Sequence, residues 1–257
     1  MNLHGQSVLV TAGASGIGRA IALEFHNAGA SVHVSDIDKD AVERFAEAMP
    51  EIMVSIGDAS NESQTRSIAE QHIHAYGGID VLVNCAGIAG PTAPVQGVAL
   101  ADWHRCIAVN LDSVFLYCRA LIPNMRSAGR GSIINISSTA GWHGYPLRSP
   151  YAAAKWAVIG LTKTLAMELG PDGIRANVIC PGSINGDRMD KVIAAESVQS
   201  GLSQQAVRKK YTNSCSLRTF IDAEDIARMA LFLASPDASR ITGQIMNVDG
   251  HVENFGP

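Results

Sequence analysis

The chain has 257 residues, of which 47% are hydrophobic and 17% charged, a size and composition that predict one domain over residues 1–257. A formal net charge of −4 at pH 7 offers no basic surface for nucleic acid or anionic lipid, and no apolar stretch approaches the roughly 20 residues that span a bilayer. The N-terminal segment enters a predicted strand without the pattern of a signal peptide, so we expect a cytoplasmic protein that binds neither nucleic acid nor membrane.

The first predicted element is an apolar strand at 7–11 that leads directly into a glycine-rich turn. Gly13, Gly16 and Gly18 lie in this turn, and the helix that follows carries a stripe of apolar residues. Glycines let the backbone approach a ligand closely, and the helix N-terminus presents free N–H groups and partial positive charge, which suits a pyrophosphate. Such turns also occur as ordinary connections, but strand, turn and helix here follow the order that dinucleotide binding requires.

The second predicted strand ends at Asp36, eighteen residues after the last glycine of the turn. An acidic side chain at this place accepts hydrogen bonds from adenosine ribose hydroxyls in dinucleotide folds, and its charge repels a 2′-phosphate. The neighbouring Ser15 and Ile37 carry no positive charge, so the sequence favours NAD over NADP. Alternatively, Asp36 caps the helix that starts near Asp38, and the two roles are compatible.

Strands and helices alternate along the chain. This alternation requires parallel strands joined by right-handed crossovers, and the apolar runs at 81–83 and 133–134 indicate strands covered on both faces. We therefore predict an α/β fold of Rossmann type, with a doubly wound, seven-stranded parallel sheet and helices on both faces. The predicted strands are 7–11, 31–35, 52–56, 80–84, 132–137, 174–180 and 244–248.

Two of the predicted helices have distinct sequence signals. One starts near Asp102 and carries an apolar stripe, whereas the other opens at Asp222 with Asp225 at capping-box spacing. Both apolar stripes predict packing in the core or in a subunit interface.

Polar side chains occur where the strand at 132–137 ends. Ser137 and Ser138 break its apolar run, and the carboxyl ends of the strands form the ligand-binding edge of an open α/β sheet. Ser138 could there donate a hydrogen bond to a substrate oxygen. Taken alone, a serine at a strand end is more often a turn residue or a helix cap.

Tyr151 and Lys155 are four residues apart, so a helix places the phenol and the ammonium on one face. A free phenol has a pKa of about 10, and lowering it to neutrality takes about three units, or around 4 kcal/mol. A fixed cation and an oxidised nicotinamide can together supply this in a desolvated site, which would make Tyr151 a base. The competing interpretation is an ordinary helix start, with Pro150 in the first turn.

Cysteines and histidines are scattered along the chain. No Cys-x-x-Cys motif and no cluster with the spacing of metal ligands occurs among the 5 cysteines and 8 histidines. The cysteines are predicted to be reduced and mostly buried, and we expect no catalytic metal.

Two further motifs follow predicted strands: Asn84-Cys-Ala-Gly and Pro181-Gly182. With the glycine-rich turn and the Ser, Tyr and Lys positions, they resemble the classical short-chain dehydrogenase/reductase family, and the resemblance covers essentially the whole chain. It implies binding of a nicotinamide dinucleotide across the crevice of the sheet. The positions that match the family's cofactor site are Thr11, Gly13, Ser15, Gly16, Ile17, Gly18, Asp36, Asp58, Ala59, Asn84, Ala86, Gly87, Tyr151, Lys155, Pro181, Gly182 and Ile184.

The resemblance also assigns a catalytic tetrad. It implies that Tyr151 is the general acid/base, that Ser138 orients the substrate oxygen, and that Lys155 binds the nicotinamide ribose while lowering the pKa of the tyrosine. It implies that Asn110 holds a helix kink and a water that relays protons through the lysine, and that Asp58 hydrogen-bonds the adenine ring.

The chain departs from the family's usual sequence in two loops. Ala12 stands where glycine normally follows the threonine of the first motif, and Gly186 stands where a threonine normally contacts the cofactor. Either Asn185 or Asp187 takes over that contact, or the loop stays mobile until substrate arrives, because Asn-Gly is a strong turn signal.

The stretch at about 183–218 is the least regular part of the sequence, and the resemblance implies that it forms a lid over the substrate. Arg188 and Lys191 lie on this lid, and His143 and Arg148 precede the Tyr/Lys pair. Such groups near the active site favour a polar or anionic hydroxy compound, namely a sugar, sugar acid or hydroxy acid. The alternative for each of these side chains is to face water.

The sequence therefore predicts an NAD-dependent oxidoreductase that interconverts a secondary alcohol and a ketone of a polar small molecule by hydride transfer. Two alternatives stay open: an NADPH-preferring 3-oxoacyl-type ketoreductase, and a dinucleotide-sensing protein without catalysis. The resemblance also implies a homotetramer built through the helices around 102–126 and 151–169 and through the C-terminal strand and helix. The tail at 250–257 either reaches a neighbouring subunit or the lid, or is frayed.

Overall fold

Seven parallel strands form one sheet in the computed structural model, which describes residues 1–252. Their order across the sheet is third, second, first, fourth, fifth, sixth, seventh, so the predicted doubly wound α/β fold is confirmed. Each predicted strand is present, and its bounds differ by at most one residue at either end. The strands are β1 (Ser7–Thr11), β2 (Ser31–Asp36), β3 (Met53–Ile56), β4 (Val81–Asn84), β5 (Gly131–Ile136), β6 (Ile174–Pro181) and β7 (Ile245–Val248). Most of the C-terminal tail discussed above, residues 253–257, lies outside the described part of the chain.

Helices connect the strands and cover both faces of the sheet. They are α1 (Gly16–Asn27), α2 (Lys39–Ala48), α3 (Glu62–Tyr76), α4 (Leu100–Ile107), α5 (Ser113–Ala128), α6 (Ser149–Leu169), α7 (Asp187–Ser200), α8 (Gln204–Ser214) and α9 (Ala223–Ala234). A π-helical turn at Ala108–Asp112 joins α4 to α5. Helices α1 and α9 pack together on one face of the sheet, and α3, α5 and α6 lie on the other.

The two helix starts predicted from sequence are both present. The helix expected near Asp102 begins at Leu100, and α9 has the predicted capping box. The Asp222 N–H donates to Asp225 Oδ2 over 3.1 Å, and the Asp222 side chain accepts from the backbone N–H of Asp225. The box satisfies two donors that a bare helix start would leave without partners.

Strand side chains alternate between two hydrophobic cores. Val8 and Val10 of β1 pack on the side of α1 and α9, whereas Leu9 packs on the side of α3, α5 and α6. In β5, Ile134 belongs to the first core and Ile133 to the second. Fully burying each such side chain contributes about 1.5–3 kcal/mol, so both helix layers are held to the sheet as the apolar runs predicted.

The continuous helical run at 100–128 corrects one expectation about apolar stretches. By length and composition alone it could cross a membrane, and 44% of its most apolar window is buried within the fold. Tyr117, Leu121 and Met125 are buried in the core that α5 shares with the sheet. Because a core helix of a globular protein satisfies the same criteria, packing on the sheet accounts for this composition.

The crevice of the sheet lies where β1 separates β2 from β4. In doubly wound sheets, ligands bind outside the carboxyl ends of the strands at this switch point. The predicted lid contains α7 and α8, whose Ile193, Val207 and Tyr211 form a small apolar cluster with Phe220, which follows the lid. The lid is therefore packed separately from the two cores of the sheet.

Candidate active site

The turn between β1 and α1 is shaped by close backbone contacts. A Cβ on Gly18 would lie 2.1 Å from the Ala12 carbonyl oxygen, whereas a Cβ on Gly16 would meet open space. Ala12 itself has φ +50°, a left-handed conformation that costs a non-glycine residue roughly 1 kcal/mol. Ala12 therefore adopts a backbone conformation that favours glycine. The start of α1 has no side-chain cap, so its first N–H groups fit an anionic phosphate.

Two predicted cofactor residues, Thr11 and Asn84, have side-chain partners within the protein. The Thr11 hydroxyl accepts from the backbone N–H groups of Cys85 (2.9 Å) and Ala86 (3.0 Å), which joins the ends of β1 and β4. The Asn84 amide donates to Asn135 Oδ1 over 2.8 Å inside the core. The Thr11 side chain therefore braces the end of the crevice, whereas the Asn84 side chain lies in the core.

Asp36 lies at the end of β2, beside the glycine-rich turn. Its Oδ2 accepts from the Ala14 N–H (3.2 Å) and its Oδ1 from the Asp38 N–H (3.1 Å), and the residue is only 7% exposed. Asp38 caps α2 by accepting from the Ala41 N–H. The structure therefore assigns the cap to Asp38 and leaves Asp36 fixed against the glycine-rich turn.

Sequence analysis missed two arginines beside the same turn. Arg19 of α1 and Arg44 of α2 line a cavity of about 330 Å³ together with Ser15 and Gly16. No local motif marks them, because they come from two helices that only the fold brings together.

Asp58, the predicted adenine-binding residue, is also held in place by neighbouring groups. Its Oδ1 accepts hydrogen bonds from the Ser60 N–H and from the Ser60 hydroxyl, which fixes the carboxylate.

Tyr151 and Lys155 lie at the start of α6, opposite the end of β5. The Lys155 ammonium is 5.8 Å from the centroid of the Tyr151 ring and donates to the Ile136 carbonyl over 2.8 Å. Lys155 is only 4% exposed. The Ser138 hydroxyl, which accepts from the Ala140 N–H, also hydrogen-bonds the Tyr151 phenol. The structure thus brings three predicted catalytic residues together.

Burial is the largest influence on the pKa of the Tyr151 hydroxyl and acts to raise it. The charges of Arg188 and Lys155, followed by the Ser138 hydrogen bond and the charge of Arg148, outweigh burial and lower this pKa below that of a free phenol. Burial lowers the pKa of the Lys155 ammonium, which Tyr151 partly offsets. The phenolate is therefore stabilised by cations in a largely desolvated place.

Asn110, the fourth predicted catalytic residue, lies in the π-helical turn. Its Nδ2 donates to the carbonyls of Cys106 (2.9 Å) and Ile88 (3.0 Å), and its Oδ1 is buried without a partner among residues 1–252. A Cβ on Gly87 would lie 2.7 Å from this oxygen and 3.4 Å from Lys155 Nζ. Glycine at position 87 therefore avoids a close contact with Asn110 and Lys155.

The three predicted substrate residues are not brought together as a group. Arg148 and Arg188 both lie beside the Tyr151 ring, at 5.2 and 5.9 Å from guanidinium carbon to ring centroid. His143 instead has its Nε2 3.0 Å from the Val252 carbonyl oxygen and lines another cavity, of about 1160 Å³. The chain turns between His143 and Arg148, so their side chains lie in different places, which the spacing in the sequence could not reveal.

The loop after β6 explains the second departure from the family pattern. Gly186 has φ +132°, a conformation that essentially only glycine adopts, and α7 follows it directly. Asn185 donates to Asp222 Oδ1 over 2.8 Å, so its amide braces the loop against the start of α9. A Cβ on Gly182 would lie 2.8 Å from Asp249 Cα, which accounts for the glycine after Pro181.

A chain of hydroxyl groups links the lid to this site, and sequence analysis did not identify it. The hydroxyls of Tyr145 and Tyr211 hydrogen-bond each other, and Tyr211 donates to the Glu196 carboxylate. Burial raises the pKa of both tyrosines, most strongly that of Tyr211. They therefore act as neutral hydrogen-bonding groups that hold α7 and α8 against the segment before α6.

No metal site accompanies these groups in the described chain. Residues 1–252 contain no cluster of three or more His, Cys, Asp or Glu side chains arranged to hold an ion. All five cysteines are free, and each of them except Cys85 is buried.

Known proteins of similar sequence and structure are oxidoreductases. A family model described as enoyl-(acyl carrier protein) reductase matches residues 11–252. The chain is 36% identical over 254 residues to a 3-oxoacyl-(acyl-carrier-protein) reductase of Thermotoga maritima, covering 97% of this chain and 98% of that protein. It is 36% identical over 257 residues to a 2-keto-3-deoxy-L-fuconate dehydrogenase of Xanthomonas campestris, covering 98% and 81%. A crystal structure of NAD+-bound xylitol dehydrogenase matches with a TM-score of 0.93 at 27% identity, covering 98% of this chain and 100% of that one.

Proposed function

The chain belongs to the classical short-chain dehydrogenase/reductase family and is an oxidoreductase that acts on CH–OH groups. We propose that it uses NAD and that its substrate is a polar hydroxy compound. Sugars, sugar acids and hydroxy acids are the classes that this proposal includes. The observation that carries the choice of cofactor is the fixed carboxylate of Asp36 at the nucleotide end of the crevice.

The catalytic residues act on one proton. Bound NAD supplies the hydride acceptor for alcohol oxidation. In alcohol oxidation, the Tyr151 phenolate takes the proton from the substrate hydroxyl while hydride leaves the carbon that bears this hydroxyl. In ketone reduction, the neutral Tyr151 phenol gives the proton to the substrate oxygen. Ser138 holds the substrate oxygen against the phenol, and Lys155 stabilises the phenolate from within the desolvated site. A positioned acid/base of this kind contributes about 10²- to 10⁴-fold to the rate.

The cofactor site fits a dinucleotide. Gly16 and the uncapped start of α1 would hold the pyrophosphate, since no side chain occupies the N-terminal N–H groups. Asp36 would accept hydrogen bonds from the adenosine ribose. Because this carboxylate is fixed by two backbone N–H groups, a 2′-phosphate beside it would meet a negative charge that cannot turn away.

An NADPH-preferring 3-oxoacyl reductase is the second candidate. Arg19 and Arg44 line the cavity beside the glycine-rich turn and offer positive charge for a 2′-phosphate. The relative from Thermotoga maritima carries a name of this class. The two candidates therefore differ in the side chains that contact the adenosine ribose: the Asp36 carboxylate for NAD, or Arg19 and Arg44 for NADP.

Steady-state kinetics with NAD and NADP distinguishes these candidates. We expect wild-type kcat/KM to be higher with NAD, and Asp36→Ala to reduce this preference by about tenfold or more, equivalent to roughly 1.4 kcal/mol. Asp40→Ala removes the same charge from the exposed first turn of α2 and should leave the preference unchanged. A wild-type preference for NADP that Arg44→Ala abolishes would overturn the proposal and support the second candidate.

We also propose that the enzyme acts in the cytoplasm as a homotetramer. Phe115 of α5 and both Trp156 and Met167 of α6 expose large apolar side chains, on the two helices that the family resemblance assigns to an interface. Exposed apolar patches commonly mark such contacts. Light scattering on the purified protein would measure the assembly directly.

A further inference from the structure

Three cations surround the Tyr151 ring without an acidic partner. The guanidinium carbons of Arg148 and Arg188 lie 5.2 and 5.9 Å from its centroid, and the Lys155 ammonium lies 5.8 Å from it. Within residues 1–252, none of the three takes part in a salt bridge. Charges removed from water are normally paired. The uncompensated positive charge therefore favours an anionic ligand at this place.

Arg148 is the fixed member of this cluster. It is only 3% exposed, and one terminal nitrogen donates to the Ala89 carbonyl over 2.7 Å. Its guanidinium also lies 5.6 Å from the Tyr145 ring centroid, so aromatic rings surround it. Its Nε is buried without a hydrogen-bond partner in the described chain. An unsatisfied buried donor destabilises the free site, and a bound anion near this guanidinium would offset that loss.

Arg188 approaches the same ring from the lid. It lies in the first turn of α7 and is exposed, and its hydrogen bond to the Gly87 carbonyl is 3.2 Å long. The Tyr145, Tyr211 and Glu196 chain holds the lid against the segment that carries Arg148. One guanidinium group is therefore held on the segment before α6 and the other lies on α7, and both lie beside the Tyr151 ring, at 5.2 and 5.9 Å from its centroid.

We propose that Arg148 and Arg188 form an anion-binding subsite beside Tyr151, and that the substrate is a short hydroxy acid or keto acid whose carboxylate they hold. This inference rests on the proposed function and narrows its substrate to compounds with an anionic group. Guanidinium groups bind carboxylates through charge-assisted hydrogen bonds in a fixed planar geometry. Because both lie beside the ring of the acid/base, the carboxylate must be only a few bonds from the carbinol carbon. A 3-oxoacyl thioester is neutral at that distance and would leave both arginines unpaired.

Anion binding can be measured without turnover. Malonate is titrated into the enzyme–NADH complex by calorimetry, and uncharged malonamide serves as the matched ligand. We expect saturable binding of malonate alone, weakened about 10- to 100-fold in Arg188→Gln, because a hydrogen bond to a charged group is worth about 1.5–3 kcal/mol. Lys191→Gln removes the same charge from the same helix and should bind malonate as the wild type does. Absent or non-saturable malonate binding, or equal binding by all variants, would overturn the subsite.

Turnover then tests the substrate class. Lactate and 3-hydroxybutyrate are compared with their neutral counterparts 1,2-propanediol and 1,3-butanediol as substrates for NAD reduction. Because Arg188 also lowers the pKa of Tyr151, we expect Arg188→Gln to lower kcat/KM for all four compounds, and to lower it about tenfold further for the acids than for the neutral alcohols. An equal loss for acids and neutral alcohols would assign Arg188 to the activation of Tyr151 and overturn the anion subsite.

A second variant and a binding control keep the two proposals separate. Arg148→Met removes the buried charge, and its thermal unfolding is compared with that of the wild type so that loss of folding is detected. In a folded Arg148→Met enzyme, malonate binding should weaken as in Arg188→Gln, and unchanged binding would contradict the subsite. Failure of the wild type to bind NADH or to oxidise any alcohol would contradict the proposed function itself. Acid and neutral substrates used equally well would contradict only the subsite.

Discussion

Two pairs of titratable side chains behave differently in this protein. Tyr151 and Lys155 lie at the crevice among further cations, whereas His33 of β2 and His72 of α3 are fully buried and stack with ring centroids 5.6 Å apart. His33 Nε2 is 2.9 Å from Ser55 Oγ, and both nitrogens of His72 lack partners in the described chain. Burial lowers the pKa of His33 to about 4, and burial together with the neighbouring His33 lowers that of His72 to about 3.

The difference between the pairs shows that the surroundings of a buried group decide its ionisation. Burial favours the neutral form in every case, so both imidazoles are uncharged at neutral pH. For Tyr151 the same effect raises the pKa, yet Arg188 and Lys155 reverse its direction. The histidine pair is therefore suited to packing beneath α3, and the tyrosine pair to moving a proton.

Removing the Tyr151 hydroxyl should have the largest effect. We expect Tyr151→Phe to bind NADH normally and to lose about 10²- to 10⁴-fold in kcat, because no other group is placed to exchange the proton. Stopped-flow or steady-state assays of alcohol oxidation measure this loss, and fluorescence titration measures NADH binding. Tyr76→Phe, which deletes a hydroxyl that donates to the Val32 carbonyl away from the site, serves as the control. Turnover close to wild type in Tyr151→Phe would remove the tyrosine from the mechanism.

Removing a cation from the crevice should make Tyr151 titrate more like a free phenol. In alcohol oxidation the phenolate is the active form, so kcat/KM should rise with pH and level off above the lowered Tyr151 pKa. Lys155→Met should raise this pKa and move the rise to higher pH, so that the rate on the acidic side of the profile falls by about tenfold or more. A pH profile separates this shift from a general loss, since a reduction that is equal at every pH would show that Lys155 acts only in binding.

The histidine pair should affect stability and leave catalysis unchanged. A histidine whose pKa is lowered on folding stabilises the fold at neutral pH, and this stability is lost as pH falls below 6.5 towards about 4 for His33 and about 3 for His72. Between neutral pH and about pH 5, each of these histidines should lower the free energy of unfolding by about 2 kcal/mol, because the unfolded chain takes up a proton that the folded chain does not. Urea unfolding at both pH values measures this slope.

Substitution of His72 isolates its part of the acid sensitivity. His72→Phe keeps a flat ring against His33 and should remove about 2 kcal/mol of the loss on acidification. His74→Gln, on the exposed side of the same helix, should leave the slope unchanged. If His72→Phe loses stability on acidification as steeply as the wild type, the histidine pair is not the source of the effect.

Local patterns predicted much of the fold and part of the site. The strands were found within one residue of their predicted bounds, because side-chain alternation and apolar runs report burial directly. The Tyr151/Lys155 pair was visible because helical geometry alone places residues four apart on one face. The amide of Asn84 could not be placed in the same way, since a position at a strand end does not say whether the side chain meets the crevice or, as here, Asn135 in the core.

What the sequence determined by itself is therefore local: the alternation of strands and helices, the glycine turn at α1, the acidic end of β2 and the spacing of tyrosine and lysine. The tertiary structure alone decided which distant groups meet these elements. It brings Arg188 from the lid and Arg148 from the preceding segment to the same phenol, and it sends His143 to another cavity. The physical reason is that backbone geometry fixes contacts between residues a few positions apart, whereas contacts across the crevice depend on the path of whole loops and on the packing of the lid.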